Sequence, residues 1–342
     1  VKGTFGLPVG STVSHKIIAV AAAGGGEGGS RAGQNLKPRM DGHEVLIPDS
    51  VFVCARDTMG AFFEPISKVD RTAAARDFLD LGKSRKRAEI LARYALLHGK
   101  KLLEIGSGFG TNLAVWITEY GIDGYGVEPG GEGFDAGLHA SRDLLAANGI
   151  AGDRIVDAVG EHLPFADQTF DIVYSANVLE HTQNPSAVVR EAIRVLRPGG
   201  ILHIEVPNHW SYFEGHYLLV MPPLVNRSIL PAWVSLFGRD ATFSRTLQTQ
   251  INPRWFRRVL AEVGQAYPLH VISLGDDLFL ERLAKPFQFE AQGVSRRLGA
   301  VLRVIQLLNR GNWIGKLIVA AQGYYPLYVT VRRNGLRERT SG

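Results

Sequence analysis

The sequence predicts an α/β protein built on a largely parallel sheet. Between residue 100 and about residue 208, short apolar runs alternate with helix-length segments, the pattern of strand–helix–strand units. The first of these runs ends in three alternating glycines that lead into a helix. With 45% hydrophobic and 21% charged residues, the chain can fill a sizeable core, which excludes wholesale disorder. Its 342 residues suit one large domain with additions, or two domains.

The first segment, 1–41, is Gly-rich with little periodicity and is expected to be poorly ordered or loosely docked. Within it, His15 and Lys16 precede a short apolar stretch that imitates a signal peptide. The stretch runs into Gly24-Gly25-Gly26-Glu27-Gly28-Gly29-Ser30, so linker is the better reading, and the missing initiator Met suggests an incomplete or processed start. Residues 42–99 form a helical lead-in: Ala75, Phe78 and Leu79, then Ala88, Ile90, Leu91, Tyr94 and Leu97, recur at helical spacing. The core, 100–208, carries strands over 101–105, 123–127, 154–159, 170–174 and 201–206, with helices over 111–120, 134–148 and 185–196. Arg197-Pro198-Gly199-Gly200 is expected to stop the last helix and turn the chain into the next strand.

An aromatic, proline-interrupted insertion, 209–247, comes next; Pro222-Pro223 lies within it. The last part, 248–342, is expected to hold a helix over 253–263 and strands near 270–274 and 326–332. Between those strands, 296–310 is an amphipathic basic helix, with Leu298, Val301, Leu302, Ile305 and Leu308 on one stripe and Arg303, Gln306 and Arg310 opposite.

Charge is unevenly spread. From residue 281 to the end there are 11 Lys/Arg against 3 Asp/Glu, a net +8, while the rest of the chain sums to −3. A basic tail of this kind suits an anionic partner, such as a membrane surface, a phosphorylated substrate or nucleic acid, rather than a wholly basic nucleic-acid binder, and equally a solvated face. The single cysteine, Cys54, excludes an intramolecular disulfide and a thiolate zinc cluster, and fits a reducing cytoplasm. No apolar run reaches the roughly 18–20 residues needed to cross a bilayer.

The strongest motif is Leu102-Leu103-Glu104-Ile105-Gly106-Ser107-Gly108-Phe109-Gly110-Thr111. Its glycines allow a ligand to lie on the backbone, and the following helix presents free amides. Glu128 closes the second strand, where a carboxylate can accept from both hydroxyls of a ribose. A dinucleotide fingerprint wants a third glycine where Thr111 stands. Glu104 beside the loop would repel a pyrophosphate but suits an ammonium group.

These residues, with Gly124-Tyr125-Gly126-Val127-Glu128, Leu163-Pro164-Phe165, Phe170-Asp171-Ile172-Val173-Tyr174, Val178-Leu179-Glu180-His181 and Leu196-Arg197-Pro198-Gly199-Gly200, resemble the class I S-adenosylmethionine-dependent methyltransferases, in the family's order and spacing. The resemblance covers about residues 100–208. It implies a Rossmann-like, seven-stranded, mostly parallel sheet flanked by helices, with the final strand inserted antiparallel. It implies S-adenosylmethionine as cofactor and S-adenosylhomocysteine as product. Gly106, Ser107, Gly108 and Gly110 would hold the methionine part, Glu104 its amino group, and Glu128, with Pro129 beside it, the ribose. Gly160, Glu161 and His162, with Leu163, would line the adenine, and Ala176 and Asn177 would floor the sulfonium. The chain departs from the family at Val159, where relatives often carry an acid for the adenine amino group; Glu161 or the backbone is left to serve.

The cofactor is already an activated electrophile, so the protein's task is to align a nucleophile in a dry pocket. An oxygen nucleophile also needs a base. His209, Glu214 and His216 stand directly after the fifth strand, at the sheet edge where open α/β folds bind ligands, and are the base candidates; each also reads as a packed structural residue. His181 reads as a residue that orients its turn, and Cys54 as a small core residue. Trp210, Tyr212, Phe213 and Trp233 read either as an apolar substrate pocket or as the insertion's own miniature core. No carboxylate–histidine spacing nominates a metal. The expected activity is methyl transfer to a hydroxyl or carboxyl oxygen of a hydrophobic natural product, lipid or lipid-linked sugar, with the lead-in and insertion forming a lid. Nitrogen or carbon acceptors, and a protein that binds the cofactor without transfer, stay open. The expected partner is a small molecule and not a nucleic acid, since the Asn/Asp-Pro-Pro-Tyr type of motif is missing, with peripheral membrane contact through the basic helix.

Overall fold

The computed structural model describes residues 44–131, 135–221, 229–284 and 313–335. The glycine-rich segment, the signal-like stretch, Pro222-Pro223 and the amphipathic helix expected at 296–310 lie outside the described residues.

The lead-in is a run of short helices: α1 (Asp49–Ala55), a π turn (Arg56–Gly60), α2 (Ala61–Ser67), α3 (Arg71–Phe78) and α4 (Leu81–Leu91). Two aspartates punctuate it. Asp70 accepts from the amides of Thr72 and Ala73 at the start of α3, and Asp80 from the amide of Gly82 at the start of α4.

The core strands are β1 (Lys101–Ile105), β2 (Asp123–Glu128), β3 (Ile155–Asp157), β4 (Phe170–Ala176) and β5 (Leu196–Val206). Their helices are α5 (Thr111–Tyr120), α6 (Asp135–Ala147) and α7 (Pro185–Val195). In the insertion, β6 (Phe213–Glu214) and β7 (Leu219–Val220) form a hairpin, followed by α8 (Leu230–Leu236). The chain closes with α9 (Pro253–Val263), β8 (Leu269–Ser273), α10 (Asp276–Ala284), α11 (Trp313–Ala320) and β9 (Leu327–Arg333).

One seven-stranded sheet runs in the order β3-β2-β1-β4-β5-β9-β8. The first five pair in parallel, while β9 is antiparallel to both β5 and β8. This is the Rossmann-like sheet the resemblance implies. Because β1 is buried on both sides, alternate residues feed two cores. Leu103 and Ile105 join α7 and α9 through Val188, Val189, Phe256 and Val259. Leu102 joins α4, α5 and α6 through Leu91, Trp116 and Leu144. Removing side chains of this size from water contributes about 1.5–3 kcal/mol each.

Two expected boundaries shift. The strand after α7 starts at Leu196, not 201: Leu196 pairs with Phe170 and Ile201 with Ile172, so residues 197–200 loop out as an irregularity within the strand. The third strand ends at Asp157 because its partner β2 ends opposite, at Glu128. Cys54 is half-buried and packs beside the α4–α6 core, with its thiol on the carbonyl of Ala136.

A third, smaller apolar cluster joins α2 to the insertion. Ile66 and Phe63 of α2 meet Tyr217, Leu219, Met221, Leu230, Val234 and Leu247, with Trp233 and Phe243 against them. Trp233 therefore belongs to a miniature core shared with α2, whereas Tyr212 packs against the main core and Phe213 against Tyr325.

Candidate functional site

Parallel strands place their following loops at one edge, and the loops after β1, β2, β4 and β5 meet there. The three glycines after β1 all have positive φ, between +53° and +76°, but for different reasons. A Cβ on Gly106 would lie 2.2 Å from Val178, in the loop after β4, and one on Gly110 3.3 Å from Ile155 and Ser141. Packing sets those two. Gly108 has nothing within 4 Å of its Cβ position, so its face is open to a ligand.

Around this loop the described residues leave buried polar atoms without partners. Glu104, 2% exposed, accepts from Asn112 Nδ2 at 2.6 Å through Oε1, while Oε2 has no donor. Burial pushes its carboxyl up to about 8, against the pull of the Asn112 bond and of Arg87. Ser107 Oγ is likewise buried without a partner. Glu128 Oε2 accepts from the Gly108 amide at 2.7 Å, and burial raises this carboxyl too. An open backbone face flanked by two unsatisfied buried groups and a carboxylate fits a ligand with an ammonium and hydroxyls.

The other cofactor candidates divide. Pro129 follows Glu128, and Asn177, exposed and left-handed at φ +54°, follows β4 with its amide on Glu205 O. Gly160 is explained by packing, since a Cβ would lie 2.9 Å from Ile105. Glu161 Oε1 is engaged by the amides of Gln183 and Asn184, before α7. His162 is exposed. Sequence reasoning missed Asp157, which stands in register with Glu128 and accepts from the Gly130 amide at 2.7 Å. No sequence signal marked it, because the third strand was expected to run on to Val159.

Two of the three base candidates come together. Glu214 accepts from His216 Nδ1 at 2.7 Å and, through its other oxygen, from the Tyr217 amide at 2.7 Å. Burial alone would raise Glu214, but the charge of His216 and these bonds hold it below the ordinary carboxylate value. Burial opposes the charged form of His216, but Glu214 raises it above the ordinary imidazole value. His209 stands apart from this pair. Its Nε2 is buried without a partner among the described residues, and burial pushes it down to about 4. It lines a cavity just large enough for a water, together with Ser211, Phe213, Glu214, Met221, Leu230 and Thr249.

His181, on its turn after β4, faces His216. Its Nε2 lies 3.3 Å from His216 Nε2, and Glu180, fully buried, lies 3.7 Å from one and 3.8 Å from the other. Phe63 stacks on His216 and Phe243 on His181, so α2 and the insertion wall the cluster.

The family model described as "Methyltransferase domain" matches residues 103–204. An uncharacterized methyltransferase of Mycolicibacterium paratuberculosis (strain ATCC BAA-968 / K-10) is 38% identical over 119 residues, which cover 34% of this chain and 43% of that protein. An uncharacterized protein of Mycobacterium tuberculosis (strain ATCC 25618 / H37Rv) is 32% identical over 143 residues, 42% of this chain and 44% of that protein. The chain thus spans under half the length of these relatives. A Haemonchus contortus phosphoethanolamine N-methyltransferase 2, solved with S-adenosyl-L-methionine, aligns with a TM-score of 0.48 at 17% identity, over 81% of this chain and 60% of that chain. Residues 103–204 thus match a methyltransferase domain, and the strand order and glycine turn around them are those that the resemblance to the class I S-adenosylmethionine-dependent methyltransferases implies.

Proposed function

We propose that the chain transfers a methyl group from S-adenosylmethionine to an oxygen of a small hydrophobic acceptor. The observation that carries the oxygen reading is the Glu214–His216 pair, held at 2.7 Å beneath Phe63 and Phe243, on the sheet edge that bears the glycine loop. The bound cofactor supplies an electrophilic methyl on a sulfonium. Glu104 and Ser107 receive its ammonium end, the Gly108 backbone lies against it, and Glu128 accepts from its ribose hydroxyls. Glu214 fixes the tautomer of His216, whose Nε2 then takes the proton of the acceptor oxygen. The aromatic walls exclude water and favour an apolar acceptor such as a lipid, a natural product or a lipid-linked sugar over a nucleic acid.

The test is label transfer from methyl-labelled cofactor to host extracts fractionated by polarity. Label is expected in an apolar fraction, with equal S-adenosylhomocysteine, and as a base-stable ether or a base-labile ester. His216→Ala should lower the rate at least about 100-fold, the usual worth of a positioned base. Label held on nitrogen or carbon, or an undiminished His216→Ala rate, refutes the oxygen reading.

A further inference from the structure

We propose that Glu180, His181 and His216 form a site for one divalent transition-metal ion of the zinc class, open at one coordination position. Two of the residues sit on the short turn Leu179–His181 after β4, and the third on the β6–β7 hairpin, 35 residues further on. Among the described residues this is the one place where three such side chains converge.

The geometry is that of a ligand face. The two Nε2 atoms are 3.3 Å apart, and Glu180 Oε1 is 3.7 Å and 3.8 Å from them. Ligands at about 2.0–2.1 Å from a tetrahedral zinc stand about 3.3–3.4 Å from one another, so shifts of a few tenths of an ångström would suffice. The hydrogen bond of His216 Nδ1 to Glu214 leaves the Nε2 lone pair facing the cluster, and Glu214 is itself fixed by the Tyr217 amide. A carboxylate behind a ligating imidazole is the usual outer support of a metal site.

Glu180 supplies the independent sign. It is fully buried, and neither of its side-chain oxygens has a hydrogen-bond donor from another residue among the described residues. A carboxylate so placed is costly unless a cation or a proton compensates it. Two imidazoles and one carboxylate suit Zn²⁺ or Co²⁺ better than Mg²⁺ or Ca²⁺, which prefer all-oxygen shells. The side chain of His181 is 35% exposed, whereas His216 is 9% exposed, so the open position lies on the His181 side.

The site itself does not depend on the oxygen-acceptor reading, but its use does. A hydroxyl or carboxyl oxygen in the open position would lose its proton to water more readily beside the cation, and His216 would then serve as ligand in place of base. Val178, two residues before Glu180, packs on Gly106, which ties this turn to the cofactor loop.

The experiment titrates the full chain, after chelator treatment, with Co²⁺ and separately with Zn²⁺. One ion per chain is expected, with the visible bands of low-coordinate Co²⁺. His181→Ala and His216→Ala should abolish this binding, and Glu214→Gln should weaken it about 10–100-fold as a supporting group. S-adenosylhomocysteine binding retained by the variants shows that they are folded; Glu180→Gln, nearly isosteric, is the second probe, and Co²⁺ should raise the parent's melting temperature but not that of Glu180→Gln. No stoichiometric Co²⁺ or Zn²⁺ binding by the parent, or equal binding by folded His181→Ala and His216→Ala, overturns the site. Stoichiometric binding in a chain that methylates nitrogen or carbon leaves the site standing and removes only the oxygen-acceptor reading.

Discussion

Glu104 holds a carboxyl that burial pushes up to about 8, at the end of a strand that leads into a loop with an open face. In the ligand-free fold this group keeps a proton that the unfolded chain gives up near its ordinary 4.5, so its contribution to stability falls as pH rises from that value through 8. An ammonium set beside Oε2 reverses this by favouring the ionised form. Cofactor binding at pH 6.5 should therefore release up to about one proton, seen as a binding enthalpy that varies with buffer ionisation enthalpy. Glu104→Gln should remove the release; an unchanged release would place the ammonium elsewhere. Glu128→Ala should weaken cofactor binding by about 1–3 kcal/mol and flatten the preference for ribose over a deoxy analogue. If the analogue is discriminated equally by both proteins, Glu128 does not meet the ribose. The place of Glu104 beside the loop was legible in the sequence because strand, carboxylate and glycine turn are contiguous, and that of Glu128 because it closes the next strand. Asp157 was not, since only the β2–β3 register sets it beside Glu128.

Elements with strong local signals follow the sequence closely. α7 and α9 each begin at an Asn-Pro step, and Asn184 and Asn252 accept from the Ala187 and Trp255 amides as expected of caps. β5 does not, because Pro198-Gly199-Gly200 reads as a turn while the strand continues around it, stitched by Leu196 to Phe170. The pairing of α2 with the insertion is invisible in sequence for a different reason: Ile66 and Val234 are 168 residues apart, and only packing joins them. Ile66→Ala should cost about 2–5 kcal/mol in that cluster. Amide exchange should accelerate in α8 and the β6–β7 hairpin while β1, β4 and β5 stay protected. Uniform acceleration across the sheet would show that the cluster is continuous with the main core. The electrostatic tie between α4 and α5 is stronger. Arg85 grips the buried Glu119 through two nitrogens at 2.6 and 2.9 Å, so Arg85→Ala should destabilise the chain by about 3–5 kcal/mol in denaturant melts; a change under about 1 kcal/mol would show that Glu119 is held by other partners.

Across the whole molecule, the net +8 beyond residue 280 contrasts with −3 elsewhere, and no helix among the described residues is long and apolar enough to cross a membrane. Each basic residue near an anionic surface contributes roughly 1 kcal/mol, so the tail is proposed to bring the chain to a membrane that holds its acceptor. Sedimentation with anionic vesicles at low salt, lost when Arg303 and Arg310 become Glu, would support this; no sedimentation would leave a freely diffusing apolar acceptor. The methyl-transfer reading rests on one claim, that S-adenosylmethionine lies on the backbone of the glycine loop. Calorimetric titration of the full chain with S-adenosylmethionine, beside Gly108→Val, tests it most directly. Nothing within 4 Å surrounds the Gly108 Cβ position, so the variant should fold, with about 1–2 kcal/mol of backbone strain from its φ of +53°. The account predicts saturable one-site binding by the parent and none by the folded variant. Equal affinity in the two proteins, or no binding by the parent, would contradict it.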